Sequence, residues 1–182
     1  VSVSPDGKYL FDNVSAPDQP TKTVLRETAT GKIVAVVSTA ITDELFSMKY
    51  AFPETFTSTG RDGTTTIYGA LWKPTNFDPS KKYPVIDQSY TGPHTNMFPR
   101  NFTASLARSN QALAELGFIV VTVDGLGTAG RSKAFHNFSY KNMGKNLTDH
   151  MLAIKELAKK YSWVDVDRVG IYGHSAGGYD AG

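Results

Sequence analysis

The 182 residues carry 19 Lys and Arg against 17 Asp and Glu, a formal charge of +2, with 40% hydrophobic and 12% aromatic residues. That composition suits a globular protein of one domain, or one domain and part of another, and its lack of Lys/Arg blocks points away from nucleic acid and membrane surfaces. There is no Cys, which excludes disulfides and thiolate chemistry, and no apolar run reaches the roughly 18 residues that span a bilayer.

The chain begins in β-structure. "SPDGKYLF" predicts a turn feeding an alternating strand, and "TKTVLRETATGKIVAVVS" predicts two strands around a Thr-Gly turn. Short strands with Gly/Asp turns suit a propeller blade or a sandwich edge, and one blade cannot bury its faces alone. Val1 and Val3 already alternate with serines, with no initiator Met and no signal pattern. The expectation is a segment of a longer protein.

From Phe46 the character changes. "ETFTSTGRDGTTTIYGALWKP" predicts a hairpin turning near Arg61-Asp62-Gly63, and "YPVIDQSY" a short strand closed by Thr91-Gly92-Pro93. "NFTASLARSNQALAELG", with Leu106, Leu113 and Leu116, predicts one helix ending on Gly117. "FIVVTVDG" is a continuous apolar run, expected to be a strand buried on both faces of a parallel sheet. "NLTDHMLAIKELAKKY" sets Leu147, Met151, Ile154 and Leu157 at helical spacing, and "RVGIYG" is a last strand. Alternating strands and helices predict an α/β fold.

Gly173-His174-Ser175-Ala176-Gly177 follows that strand at once and fits G-x-S-x-G, the nucleophile elbow. A strand that reverses into a helix within one residue strains the serine backbone and forces the residues two before and two after it together, where only Gly fits. A third glycine, Gly178, follows. Ser175 is the candidate nucleophile, and the N–H of Ala176 a candidate donor to an oxyanion. His174 is adjacent in sequence and points away at such a turn, so it is expected to be a rim residue rather than a base.

Gly125, Gly127 and Gly130 in "VDGLGTAGR" spell G-x-G-x-x-G, but no periodic helix follows and the spaced acid, Asp149, lies in a helix. The dinucleotide context therefore fails, and a loop at the carboxyl end of a strand is expected. Nothing else calls for a cofactor or a metal. Tyr90 ends its strand, and its neutral phenol is able to complete an oxyanion hole. Four Asn-x-Ser/Thr sequons, at Asn13, Asn101, Asn137 and Asn146, are a modest excess over the about one or two expected by chance and are a weak pointer to a secreted glycoprotein.

Taken in order, "SPDGKYL", "LWKPTNFDPSKKYPVIDQSYTGP", "VVTVDGLGTAGR" and "RVGIYGHSAGGY" resemble the prolyl oligopeptidase family of serine peptidases, especially its dipeptidyl-peptidase-IV-like branch. The resemblance covers nearly the whole chain. It implies a partial propeller blade over residues 1–45 and the first half of an α/β-hydrolase domain over residues 46–182. By the resemblance, Ser175 is the nucleophile and Tyr90 supplies an oxyanion hydroxyl beside the Ala176 N–H. It also implies a peptide substrate, allows a homodimeric parent, and is compatible with a secreted or periplasmic setting. The branch usually has Gly-Trp-Ser-Tyr-Gly-Gly and Tyr-Ala-Gly-Pro. Here His174 and Ala176 flank the serine and "YTGP" stands for the second motif, which leaves the substrate preference open.

In α/β-hydrolases the triad runs Ser, Asp, His along the chain, so both partners are expected beyond Gly182. The paired glutamates that hold a substrate's amino terminus are expected before Val1. His94, His136 and His150 all precede the serine and do not supply a base in that order. Two alternatives stay open: an esterase or lipase, disfavoured by the absence of a His-Gly-Gly motif, and a binding module with a vestigial elbow.

Overall fold

The computed structural model describes all residues, Val1–Gly182. Two compact units are formed, one from Val1–Phe52 with Pro99–Ala107 and the other from Pro53–Phe98 with Arg108–Gly182.

The first unit is an antiparallel meander. Strands β1 (Ser2–Val3), β2 (Tyr9–Ala16), β3 (Gln19–Glu27) and β4 (Ile33–Thr39) pair in chain order, the expected hairpin being β3–β4 with Val24 opposite Val36. Two short helices complete the unit, α1 (Asp43–Ser47) and α2 (Phe102–Leu106). Asn101 caps α2 by accepting from the Ala104 N–H at 2.8 Å. Phe52 packs edge-on against Phe46, Tyr50 and Phe102, a geometry that aligns the positive ring edge with a negative face.

The second unit is built on a five-stranded mixed sheet of order β5-β6-β8-β7-β9. Its strands are β5 (Glu54–Thr59), β6 (Thr66–Trp72), β7 (Tyr83–Gln88), β8 (Ile119–Asp124) and β9 (Val164–Tyr172). β5 and β6 form the expected hairpin, and β6 runs antiparallel to β8. β8, β7 and β9 are parallel to one another. Every residue of β8 is buried, as its apolar run requires. Alternate side chains feed opposite faces: Ile119 and Val121 meet Ile154 and Leu157 of α5 (Leu147–Lys160), whereas Val120 meets Trp72 and Ala114. Each fully buried aliphatic side chain stabilises the fold by about 1.5–3 kcal/mol.

The α/β class read from the sequence holds, with three local corrections. The helix expected over 101–117 is broken, because Arg108 and Ser109 adopt φ of 64° and 59°, a left-handed conformation that no helix continues through. Its second half is α3 (Asn110–Ala114), and Gly117, at φ +94°, supplies the left-handed stop. Leu116 stays 73% exposed, so the expected leucine stripe is not a buried face. In α5 the buried face is Asp149, His150, Ala153, Ile154 and Leu157, while Met151 points outward. Two polar residues turn inward there because each finds a charged partner. Finally, the sheet is mixed rather than parallel, since the β5–β6 hairpin adds an antiparallel edge.

Two short helices remain, α4 (Lys133–His136) and α6 (Ala176–Ala181). The glycine-rich segment before α4 is a loop. Asp149 binds its Leu126 N–H at 2.7 Å and the Arg61 N–H at 2.6 Å, and also pairs with the Arg61 guanidinium. Asn146 is buried, which withdraws that sequon from any surface role.

Candidate active site

The site is assembled where β7 and β9 end. β9 runs to Tyr172, and the chain reverses through Gly173, His174 and Ser175 into α6. Ser175 takes φ 57° and ψ −116°, a conformation that costs a non-glycine residue about 1–3 kcal/mol and persists only where surrounding packing enforces it. The packing is visible at two glycines. A Cβ on Gly173 would lie 2.6 Å from Gly177 Cα and 2.5 Å from the Ser89 carbonyl oxygen, and one on Gly177 would lie 2.0 Å from that same oxygen. The elbow therefore closes on itself and against the backbone after β7. Gly178 is less confined, with 3.3 Å to the Gly173 carbonyl oxygen.

His174 and Ser175 are exposed. Ala176 opens α6, and the first N–H groups of a helix have no intrahelical acceptor. An N–H at that position is available to a substrate oxygen.

The second strand end brings Tyr90. The Ser89 N–H donates to the Tyr172 carbonyl at 2.9 Å, continuing the β7–β9 ladder one residue beyond the strand. Tyr90 then leaves the sheet, and its hydroxyl lies 2.8 Å from His94 Nε2 with the two rings edge to face. The polarity of this bond depends on the imidazole tautomer. With hydrogen on Nε2, the ring donates to the phenol oxygen and leaves the phenol hydrogen free for another acceptor.

The remaining histidines are committed elsewhere. His136 Nε2 sits 2.6 Å from the Pro93 carbonyl oxygen. His150 Nδ1 sits 2.8 Å from Asp87 Oδ2, with both side chains buried. Neither is hydrogen-bonded to Ser175.

One residue at the site was not singled out by the sequence. Asp180, on α6, accepts from Ser89 Oγ at 3.0 Å and from Thr91 Oγ1 at 2.7 Å. A lone carboxylate after a Gly-Gly helix start reads as a solvated surface group, and only the fold shows what it meets.

Three further carboxylates lie buried beneath this end of the sheet. Asp124, the last residue of β8, accepts from the Met97 N–H at 2.6 Å, the Phe98 N–H at 3.2 Å and the Asn96 amide at 3.1 Å. Burial raises its pKa above the ordinary carboxylate value, against the pull of those donors. Asp149 and Asp87 are the other two, and they fasten the glycine-rich loop and α5 to the sheet.

The prolyl oligopeptidase family model matches residues 104–182. Human dipeptidyl peptidase 8 is 37% identical over 131 residues, which is 71% of this chain and 14% of that protein. A Bacteroides ovatus protein described as a dipeptidyl aminopeptidase IV superposes with a TM-score of 0.84 at 33% identity, over 98% of this chain and 25% of that one. The chain belongs to the prolyl oligopeptidase family. Porphyromonas gingivalis dipeptidyl peptidase 4 superposes over the same 98% share, with a TM-score of 0.82 at 26% identity. This member of the prolyl oligopeptidase family thus spans 14% of the human relative and a quarter of the solved ones. No helix is long and apolar enough to cross a membrane.

Proposed function

We propose that this chain carries the nucleophile and oxyanion hole of a serine peptidase of the dipeptidyl-peptidase type. The observation that carries the proposal is the strained Ser175 backbone, φ 57° and ψ −116°, held at a glycine-packed strand-to-helix turn. Strain of that size at an exposed serine is retained where the conformation serves chemistry. Residues 1–45 are assigned to a propeller blade and residues 46–182 to the α/β-hydrolase domain, and the substrate is a peptide.

In this reading Ser175 Oγ attacks the scissile carbonyl carbon and gives its proton to a histidine base. The carbonyl oxygen becomes an oxyanion, which accepts hydrogen bonds from the Ala176 N–H and the Tyr90 hydroxyl. Collapse expels the amine, which takes the proton from the histidine, and leaves an acyl ester on Ser175 that water then hydrolyses. The order Ser, Asp, His puts the base and its carboxylate C-terminal to Ser175.

The test is a fluorophosphonate probe applied to the full-length protein, followed by a chromogenic dipeptide amide. Labelling and turnover that disappear in Ser175→Ala support the reading. A folded full-length protein that neither labels nor turns over is a binding module. One that labels and hydrolyses esters but not amides is an esterase.

A further inference from the structure

The two hydroxyls that Asp180 holds belong to Ser89 and Thr91, the residues on either side of Tyr90. We infer that Asp180 is a positioning residue, which ties the tyrosine of the proposed oxyanion hole to the helix that the nucleophile opens.

Tyr90 lies past the last ladder residue of β7, in a segment without regular structure. A loop residue drifts unless its neighbours are fixed, and oxyanion donors act only when held within a few tenths of an ångström of the developing charge. The backbone fixes one side: the Ser89 N–H is held by Tyr172, and the Ser89 carbonyl abuts Gly177. Nothing in the ladder reaches Thr91. Asp180 supplies that restraint, one carboxylate oxygen taking the Ser89 hydroxyl and the other the Thr91 hydroxyl. Both hydroxyl residues are 1% exposed, so the donor side of each bond is shielded from water. Hydrogen bonds to an ionised acceptor are about twice as strong as neutral ones.

Asp180 lies on α6, directly after the elbow. The serine and the tyrosine come from strands β9 and β7, and the segments that carry them are joined by the β7–β9 ladder, by the packing of the Ser89 carbonyl on Gly173 and Gly177, and by this carboxylate, which alone reaches Thr91. A shift of either segment moves donor and nucleophile apart, and a misplacement of about 1 Å can cost 10²-fold in rate. Asp180 touches neither substrate nor reacting atoms in this scheme. Its whole effect passes through Tyr90.

The inference rests on the proposed function, and a double-mutant cycle in the full-length protein separates the two. Ser175→Ala must abolish turnover; if it does not, the functional proposal fails first. Given that loss, Tyr90→Phe is expected to lower kcat by about 10²–10³-fold and Asp180→Ala by about 10–10²-fold, with KM changed less than about twofold. The combined variant is expected to match Tyr90→Phe alone, because a positioning residue has nothing left to position. Losses that multiply, or an Asp180→Ala enzyme with wild-type kcat, overturn the inference. Should Asp180→Ala not fold, Thr91→Val removes one of the two donors at constant shape, and the same non-additivity with Tyr90→Phe decides.

Discussion

His150 Nδ1 lies 2.8 Å from one oxygen of Asp87 and 3.0 Å from the other, with the histidine fully buried in α5 and the aspartate two residues before Ser89 in β7. Burial by itself pulls the histidine pKa down. The carboxylates of Asp87, Asp149 and Asp124 outweigh it and raise the pKa above its ordinary 6.5. A histidine whose pKa is raised by folding binds its proton more tightly in the folded state. Its contribution to stability is therefore complete below about 6.5 and fades as pH climbs through the folded value. Melting temperature is expected to fall with rising pH above neutrality, and the fall should be shallower in His150→Gln. Asp124, raised by burial, adds to the decline with the same sign from its own lower window. His150→Ala leaves the Asp87 carboxylate buried without its partner and is expected to cost about 3–5 kcal/mol. A pH profile identical in wild type and His150→Gln would show that folding leaves the histidine pKa unshifted.

The elbow glycines make a steric prediction. Gly177→Ala places a methyl group 2.0 Å from the Ser89 carbonyl oxygen, a clash that only a backbone shift relieves. Overpacking of this kind costs about 1–3 kcal/mol or more, and the shift moves Ser175 itself. Fluorophosphonate labelling is expected to drop to background together with a lower melting temperature. Gly178→Ala, with 3.3 Å of room, should keep most of both.

His94 gives a graded expectation at the Tyr90 hydroxyl, the donor proposed for the oxyanion hole. His94→Phe keeps an aromatic ring beside Tyr90 and removes only the nitrogen 2.8 Å from the phenol. A single hydrogen bond contributes about 1 kcal/mol, so kcat should fall no more than about tenfold, far less than in Tyr90→Phe. A loss as large as that of Tyr90→Phe would mean that the imidazole governs the hydroxyl rather than supporting it.

Arg61 and Asp149 set a structural prediction away from the chemistry. Asp149 is fully buried and satisfies the Arg61 and Leu126 N–H groups and the Arg61 guanidinium at once. Asp149→Ala strands all three and should cost about 3–5 kcal/mol in a denaturant titration. Arg61→Lys keeps the charge but loses the planar fork, and should cost a clearly smaller amount.

How much of this was legible beforehand depended on whether a feature was local. The β8 strand was readable because its six consecutive buried positions include Ile119, Val120, Val121 and Val123, and the Gly173–Gly177 pattern because one turn dictates its own glycines. The interrupted helix was not: "NFTASLARSNQALAELG" contains no Pro or Gly before Gly117, and the left-handed Arg108 and Ser109 follow from tertiary packing that overrides propensity. The inward Asp149 and His150 were hidden for a related reason. A charged residue reads as solvated until its partner is known, and Asp87 and Arg61 lie 63 and 88 residues away along the chain. Asp180 was invisible on the same ground, since its meaning comes from Ser89 and Thr91.

The first unit leads to a last expectation, about the 182-residue chain expressed alone. Every residue of β4 is exposed, and Ile33, Val34, Val36 and Val37 each leave 46–60% of their surface open. β4 is also an edge strand, so its outer N–H and C=O groups are unpaired beside those apolar side chains. An exposed apolar edge is a template for pairing with another chain, and apolar surface of this extent is rare on a stable monomer. The sheet cannot offset this by its own core, since Val24 is the only strand residue of the unit that is fully buried. The isolated chain is therefore expected to self-associate as its concentration rises, which light scattering after size-exclusion chromatography measures directly. Val34→Lys with Val36→Lys places charge on the edge and should suppress the association without altering the second unit. If the doubly charged variant associates as strongly as the parent, the contact surface lies elsewhere, and the exposed Val166 and Val169 of edge strand β9 become the next positions to charge.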